Sequence, residues 1–432
     1  MSRSVKSATR VAPVRKSSQT ELGIFQLIQA TPSISRVELS EKSRLSTAAI
    51  TGVVNSLLAR NLLVEGVALA TSVGRKRIGL SLRSDLGYVV GIDLGTYNLR
   101  VVVTDLNGTV LTSSEVETQM SKGKEVVLDR CFAVVRKTVA AARVSMDDVL
   151  GIGIAFSGVI DVERGLVLSY PRPGWMHQWK NVPLKTIVED EFGVTCLLDD
   201  SVRAVATYEK SFGAGRDFKD FVYVDVGMGI GSAIFIDGHI YRGFNGSAGE
   251  FGHMTVDEDG PLCCCGSNGC LEALASCATV IQSVQLAIEK GVASKLIDMV
   301  DRDISRITVE MIAAAAEQND SLAYRALHES ASHIGAACSD LVNLLNPQAI
   351  VFGGALFRAA PKLLLDEIRH LIRRRALEKS ANDVSLLLSP APSDAGAKGM
   401  ARLIAATLVP PLFMGEFDRK ASKKSAEMTK AI

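Results

Sequence analysis

YVVGIDLGTYNLRVVVTDLNGTVL, residues 88–111, and FVYVDVGMGIGSAIFIDGHIYRG, residues 221–243, follow one plan. Each has a β-run, an Asp-x-Gly turn (Asp93 to Gly95, Asp225 to Gly227), a second β-run and a hairpin signal. The hairpin signals are Asn107-Gly108 and Asp237-Gly238. Two such units in one chain imply two similar lobes facing across a cleft. Around them, β-runs alternate with helical periodicities, the pattern of an α/β fold. The 432 residues allow two to four domains at roughly 150 residues each. With 47% hydrophobic and 22% charged residues, the chain can bury a sizeable core.

Ahead of the first unit lies a segment of another kind. Residues 1–82 hold 12 Lys+Arg against 4 Asp+Glu, a net +8, whereas the remainder holds 36 against 43, a net −7. The formal charge of +1 therefore hides a basic head on an acidic body. Only the head suits a polyanion. Residues 1–18 read as a basic flexible tail. From Thr20, Leu22, Phe25, Leu27 and Ile28 form one apolar stripe that ends before Thr31-Pro32. Ser35 and Glu38 have capping-box spacing and start a second helix. A third helix from Ser46 places Ile50, Val53, Val54, Leu57 and Leu58 on one face. Residues 62–64, a turn at Glu65-Gly66, a short β-run, the basic GRKR (74–77) and IGLSL complete a two-stranded wing.

Helix, tight turn, helix and wing make up a reader of double-stranded DNA. Ser46, Thr47, Ala48, Thr51 and Asn55 lie on or near the face away from the apolar stripe, where small polar groups approach base edges. Arg36, Lys42 and Arg44 can meet phosphates, and Arg75, Lys76 and Arg77 suit the backbone or minor groove. The competing reading is an ordinary helical hairpin with a solvated charged face.

No stretch reaches 18 consecutive apolar residues, so no membrane helix is expected. The basic start has no apolar core of a secretory signal. Four of the eight cysteines fall within residues 263–270, unlike the spread of a disulfide scaffold, and a reduced, cytoplasmic protein is expected. In GHMTVDEDGPLCCCGSNGCLE (252–272), His253, Cys263, Cys265 and Cys270 make a Cys₃His set for one structural zinc ion per chain. Gly266 and Gly269 permit the tight turns this spacing requires. Cys264 alternates away and lies outside the set. The competing reading is buried thiols without metal.

At this point the chain resembles the ROK family of sugar kinases and sugar-responsive repressors, over nearly all of residues 20–410. The matching stretches are GIDLGT (91–96), GIGIAFSGVID (151–161), WKNVPL (179–184), GSAGEFGH (246–253), CCCGSNGCLE (263–272) and IVFGGALF (350–357). The resemblance implies an actin-like, ribonuclease-H-like two-lobed body, here preceded by a winged helix-turn-helix, and a homodimer or homotetramer. It divides the chain into a tail (1–18), a DNA-binding domain (19–82), a sugar-sensing body (83–410) with its zinc loop (253–270), and a polar tail (411–432). It also places a sugar site at Asp200, Glu250, His253 and Glu272. Zinc on one His253 nitrogen would leave the other for the sugar. Tyr170, Arg172, Trp175, His177 and Trp179 each face either this pocket or the core.

The function implied is a sugar-responsive transcriptional regulator, a repressor of carbohydrate-metabolism genes that binds operator DNA and a sugar effector. The alternative is an ATP-dependent sugar kinase with an added head; a zinc-stabilised scaffold without ligand is a third reading. Kinases of the family carry an Asn-Asp pair where this chain reads Asp200-Ser201, and a serine hydroxyl is no base at neutral pH. Their phosphate-loop glycine and hydroxyl residue are replaced by Thr96 and Tyr97, and a threonine of the second loop by Met228. The expectation is therefore no enzymatic activity.

Overall fold

The computed structural model describes residues 19–69, 77–170 and 179–414. Near its beginning, α1 (Gln19–Ala30), β1 (Ile34–Ser35), α2 (Arg36–Ser43), α3 (Thr47–Ala59), β2 (Leu63–Leu69) and β3 (Arg77–Leu82) form a three-helix head with a small sheet. The sheet order is β1-β3-β2. The capping box is present: Glu38 N–H donates to Ser35 Oγ at 3.3 Å, and Ser35 N–H donates to the Glu38 carboxylate at 2.9 Å. Both bonds satisfy N–H groups that a helix start leaves unpaired. Ser46 caps α3 through the Ala49 N–H.

Three details of the head differ from expectation, the first being that β1 pairs with β3, so the expected two-stranded wing is a three-stranded sheet. The buried face of α1 is Ile24, Phe25, Ile28 and Gln29, with Leu22 and Leu27 half-buried beside it. The turn expected at Glu65-Gly66 is instead an irregularity inside β2, whose register against β3 shifts between Glu65 and Ala68. The partner strand pairs with β2 on both sides of the glycine, so the chain bulges rather than reverses.

The body begins with β4 (Tyr88–Leu94), β5 (Asn98–Asp105), β6 (Val110–Glu117), α4 (Lys124–Ala141) and β7 (Val149–Phe156). A ribbon of β8 (Val159–Asp161) and β9 (Leu166–Ser169) follows, then α5 (Leu184–Phe192), β10 (Thr195–Asp200) and α6 (Ser201–Phe212). The second repeat gives β11 (Phe221–Val226), β12 (Ile230–Ile236) and β13 (His239–Tyr241). Later come β14 (Ala349–Gly353) and β15 (Ser385–Leu388). The two five-stranded sheets run β10-β7-β4-β5-β6 and β15-β14-β11-β12-β13. In each, the central strand pairs antiparallel with its hairpin neighbour and parallel with a later strand. The sequence repeat is thus a repeat of sheet topology, the ribonuclease-H-like arrangement expected.

The chain forms two compact units. The first runs through Phe156 and takes in Pro183–Asp199 and the chain from Ala397; the second holds Ser157–Val182 and Asp200–Gly396. In the first unit the last helix, Ala395–Met414, lies on the β4/β7 face. A Cβ on Gly91 would stand 1.9 Å from the Ala397 carbonyl oxygen, and one on Gly153 2.5 Å from that of Met400. Glycine is required there for the helix to approach. The same helix reaches the head, where Phe413 packs on Phe25 and under the Arg60 guanidinium. In the second unit, the 25-residue helix Ser321–Leu345 and the helix Pro361–Arg375 contribute buried faces to one apolar core.

Candidate functional site

The strongest constellation is the loop from His253 to Cys270. The ligand atoms of His253, Cys263, Cys265 and Cys270 all lie within 4.8 Å of one another. His253 Nδ1 is 3.6 Å from Cys263 Sγ, and Cys265 Sγ is 3.6 Å from Cys270 Sγ. A tetrahedral metal with metal–sulfur bonds of about 2.3 Å sets its sulfurs roughly 3.8 Å apart, so the donor set fits. All four residues expected from the sequence are brought together. Gly269, at φ +63°, leaves no room for a side chain, because a Cβ would meet the Asp257 carbonyl oxygen at 1.5 Å. A backbone hydrogen bond at Ser267 is the main cause lowering the Cys265 thiol to about 7, whereas burial raises Cys270 to about 12. Cys264 is more than a bystander: its Sγ faces Glu272 Oε1 at 3.6 Å.

The four expected effector residues all belong to the second unit. Asp200 ends β10 and caps α6, its Oδ1 accepting the N–H groups of Val202 (2.8 Å) and Arg203 (3.1 Å). Arg203, which sequence reading missed, is buried and donates from Nη1 to the Gly246 carbonyl at 3.1 Å. It ties the start of α6 to the loop that carries Glu250. Glu250 is exposed and leads into the helical turn Phe251–His253. Leu271 N–H donates to the Met254 carbonyl at 2.9 Å, setting Glu272 beside His253 in the chain path. Of the five residues left between pocket and core, Tyr170 and Trp179 are core residues, at 1% and 0% exposure. Arg172, Trp175 and His177 lie outside the described residues.

The two Asp-x-Gly loops are each engaged by neighbouring side chains. In the first unit, Arg100 on β5 reaches Asp93 at 3.5 Å and Glu115 at 3.0 Å. Tyr97 stands 57% exposed beside the half-buried Thr96. In the second unit, the Tyr223 hydroxyl donates to Asp225 Oδ1 at 2.9 Å. Burial raises the Asp225 carboxyl, and this hydroxyl partly offsets it. Met228 is 41% exposed in the same loop, and Ser201 Oγ lies 3.2 Å from Ser157 Oγ.

On the head, Ser46, Thr47, Ala48 and Asn55 are exposed along one side of α3, as are Lys42 and Arg44 before it. Arg44 takes a left-handed conformation (φ 58°) that turns the chain between α2 and α3. Thr51 is half-buried, its hydroxyl donating to the Thr47 carbonyl at 2.8 Å. Arg36 is engaged by Glu65 at 2.7 Å. Arg77 is exposed at the start of β3, while Arg75 and Lys76 lie outside the described residues. No described helix is long and apolar enough to cross a membrane.

Comparison with known proteins accords with this picture. The xylose repressor of Caldicellulosiruptor bescii is 30% identical over 357 residues, spanning 82% of this chain and 88% of the relative. A solved ROK family transcriptional regulator, described as a homologue of the E. coli MLC protein, superposes with a TM-score of 0.75 at 29% identity. That match covers 91% of this chain and 97% of the other. A ROK family glucokinase from Streptomyces griseus, solved with glucose and AMPPNP, gives 0.63 at 31% identity over 73% of this chain and 99% of its own. The regulator match extends over more of this chain than the kinase match does. The ROK family model itself spans residues 89–407, nearly the whole body and its cysteine loop, and the chain belongs to the ROK family.

Proposed function

We propose that this protein is a sugar-responsive transcriptional repressor of carbohydrate-metabolism genes, with operator DNA bound by the head and a sugar by the second unit. The observation that carries the reading is a helix-turn-helix head with a small antiparallel sheet, joined to a ROK body whose two phosphate-loop aspartates are engaged. Arg100 holds Asp93 and Tyr223 holds Asp225. A kinase needs such loops open to nucleotide and metal, and a base beside the sugar hydroxyl. Ser201 supplies no base, and Thr96, Tyr97 and Met228 supply neither the glycine nor the hydroxyl of a phosphate cradle.

In this reading α3 enters the major groove with Ser46, Thr47, Ala48, Thr51 and Asn55 toward the bases. Lys42 and Arg44 meet phosphates and Arg75 to Arg77 the backbone or minor groove, with Arg36 divided between DNA and Glu65. Asp200, Glu250, His253 and Glu272 accept and donate to the sugar hydroxyls. His253 through Nδ1, with Cys263, Cys265 and Cys270, would hold one zinc ion, whose contribution is a structural tie across the loop. His253 Nε2 is then left for the ligand. The protein acts in the cytoplasm as a homodimer or homotetramer, matching a two-half-site operator.

A gel shift against duplexes selected by the protein, with a panel of monosaccharides and sugar phosphates, tests the reading. One sugar should release the DNA, and none should be phosphorylated in the presence of ATP and magnesium. Turnover that disappears in Asp200→Asn would establish the kinase alternative instead.

A further inference from the structure

The turn Asp105 to Thr109, between β5 and β6, does more than reverse the chain. Asp105 is 4% exposed, and its Oδ1 accepts the N–H groups of Asn107 (2.9 Å) and Thr109 (2.8 Å). Its Oδ2 accepts Asn107 Nδ2 at 3.3 Å, which aims the Asn107 amide outward from the turn. That amide meets the head. Asn107 Oδ1 accepts the backbone N–H of Leu82 at 3.0 Å, and Nδ2 donates to the Leu82 carbonyl at 2.9 Å. Beside it, Gln29 of α1, 2% exposed, donates to the Leu106 carbonyl at 3.1 Å.

The geometry resembles strand pairing made by a side chain. β1 pairs with β3 only at Gly79 and Leu80, while Arg83 N–H donates to Leu62 on the β2 side. The backbone groups of Leu82 therefore point to the side that β1 has vacated, and Asn107 fills it with one acceptor and one donor. Leu106, fully buried, enters the same apolar cluster as Phe25, Ile28, Leu80 and Leu82. An ordinary packing contact would need the leucine alone. A two-point amide bond to one backbone position fixes angle as well as distance.

We propose that Asn107, aimed by Asp105 and seconded by Gln29, is the positioning residue that fixes the DNA-reading head on the body. The strand leading to it, β5, also carries Arg100, the partner of Asp93. A displacement of β5 is thereby delivered to Leu82 and α1 as a change in head orientation. The inference rests on the regulator reading for its consequence at DNA, but the clamp itself is testable without DNA.

The test compares wild type with Asn107→Ala in the full chain. Hydrogen exchange should speed up at the Leu82 amide and in α1 by about tenfold in Asn107→Ala, with α3 unchanged, since losing a part-buried hydrogen bond is about a tenfold effect in local opening. Affinity for an operator selected from random duplexes should fall about tenfold, while low-salt binding to unrelated duplex stays within twofold. Unchanged exchange at Leu82 would overturn the clamp. Equal losses on both DNAs, with α3 exchanging faster too, would reduce Asn107 to a folding contact and overturn the proposal. Wild type that selects no duplex removes the regulator reading and leaves the exchange result to decide the clamp.

Discussion

Glu272 lies across the second glycine loop, its Oε2 accepting the backbone N–H of Ile230 at 2.8 Å. Its other oxygen faces Cys264 Sγ at 3.6 Å, inside the cysteine loop. One carboxylate therefore joins the start of β12 to the candidate metal loop, and its orientation depends on both. A sugar that displaces or strengthens either bond changes how the two elements are held together.

Gly229→Ala tests this link. A Cβ there would stand 2.6 Å from Glu272 Oε2, so the carboxylate must move while the cysteines need not. Metal content should remain at the wild-type value, and the sugar concentration that half-releases DNA should rise about tenfold or more. Titration of operator release, read beside metal analysis, checks both halves. An unchanged sugar response would remove Glu272 from the effector site.

Purified protein should contain one zinc per chain. Cys265→Ser should lose it together with thermal stability, because ligand removal exposes a loop with little apolar content to hold it. Cys264→Ser should retain the metal. Elemental analysis with melting curves distinguishes the two, and the reverse pattern would reassign the fourth ligand from Cys265 to Cys264.

Operator binding should weaken steeply with salt. Replacing Arg75, Lys76 and Arg77 together with Ala should lower affinity for all duplexes and reduce the salt slope by roughly 3, at about 0.9 per phosphate contact. Thr47→Ala or Asn55→Ala should shift sequence preference while leaving low-salt non-specific binding near the wild-type value. Anisotropy titrations at several salt concentrations check these outcomes.

The capping box makes head stability pH-dependent in a defined window. The Ser35 hydroxyl, followed by its backbone N–H, holds the Glu38 carboxyl below its usual 4.5. A carboxyl lowered in the folded state stabilises it fully above the unfolded value, and the gain is lost as pH falls through the folded value. Wild type should therefore exceed Glu38→Gln by a constant margin, under about 1 kcal/mol, from pH 7 to about 5. The margin should shrink below 4.5. Chemical denaturation followed in α1 and α2 measures it, and a margin that persists at pH 3 would contradict the assignment.

Sequence alone determined whatever depends on neighbours a few residues apart. The two Asp-x-Gly units specified two equivalent sheets, because strand, turn and hairpin chemistry are local. Ser35 and Glu38 specified a helix start, since both partners lie within one turn. Three cysteines within residues 263–270 specified a thiol cluster, because so short a loop has few ways to avoid bringing the thiols together. Tertiary structure decided everything set by partners distant in the chain. Glu65-Gly66 stays within a strand because β3 pairs with β2 on both sides of the glycine, a ladder that the local turn signal does not reveal. Tyr170 and Trp179 are core rather than pocket because their burial depends on elements that periodicity does not locate. Arg36 answers to Glu65 and Asn107 to Leu82, each pairing set by the packing of elements whose relative placement no local pattern encodes.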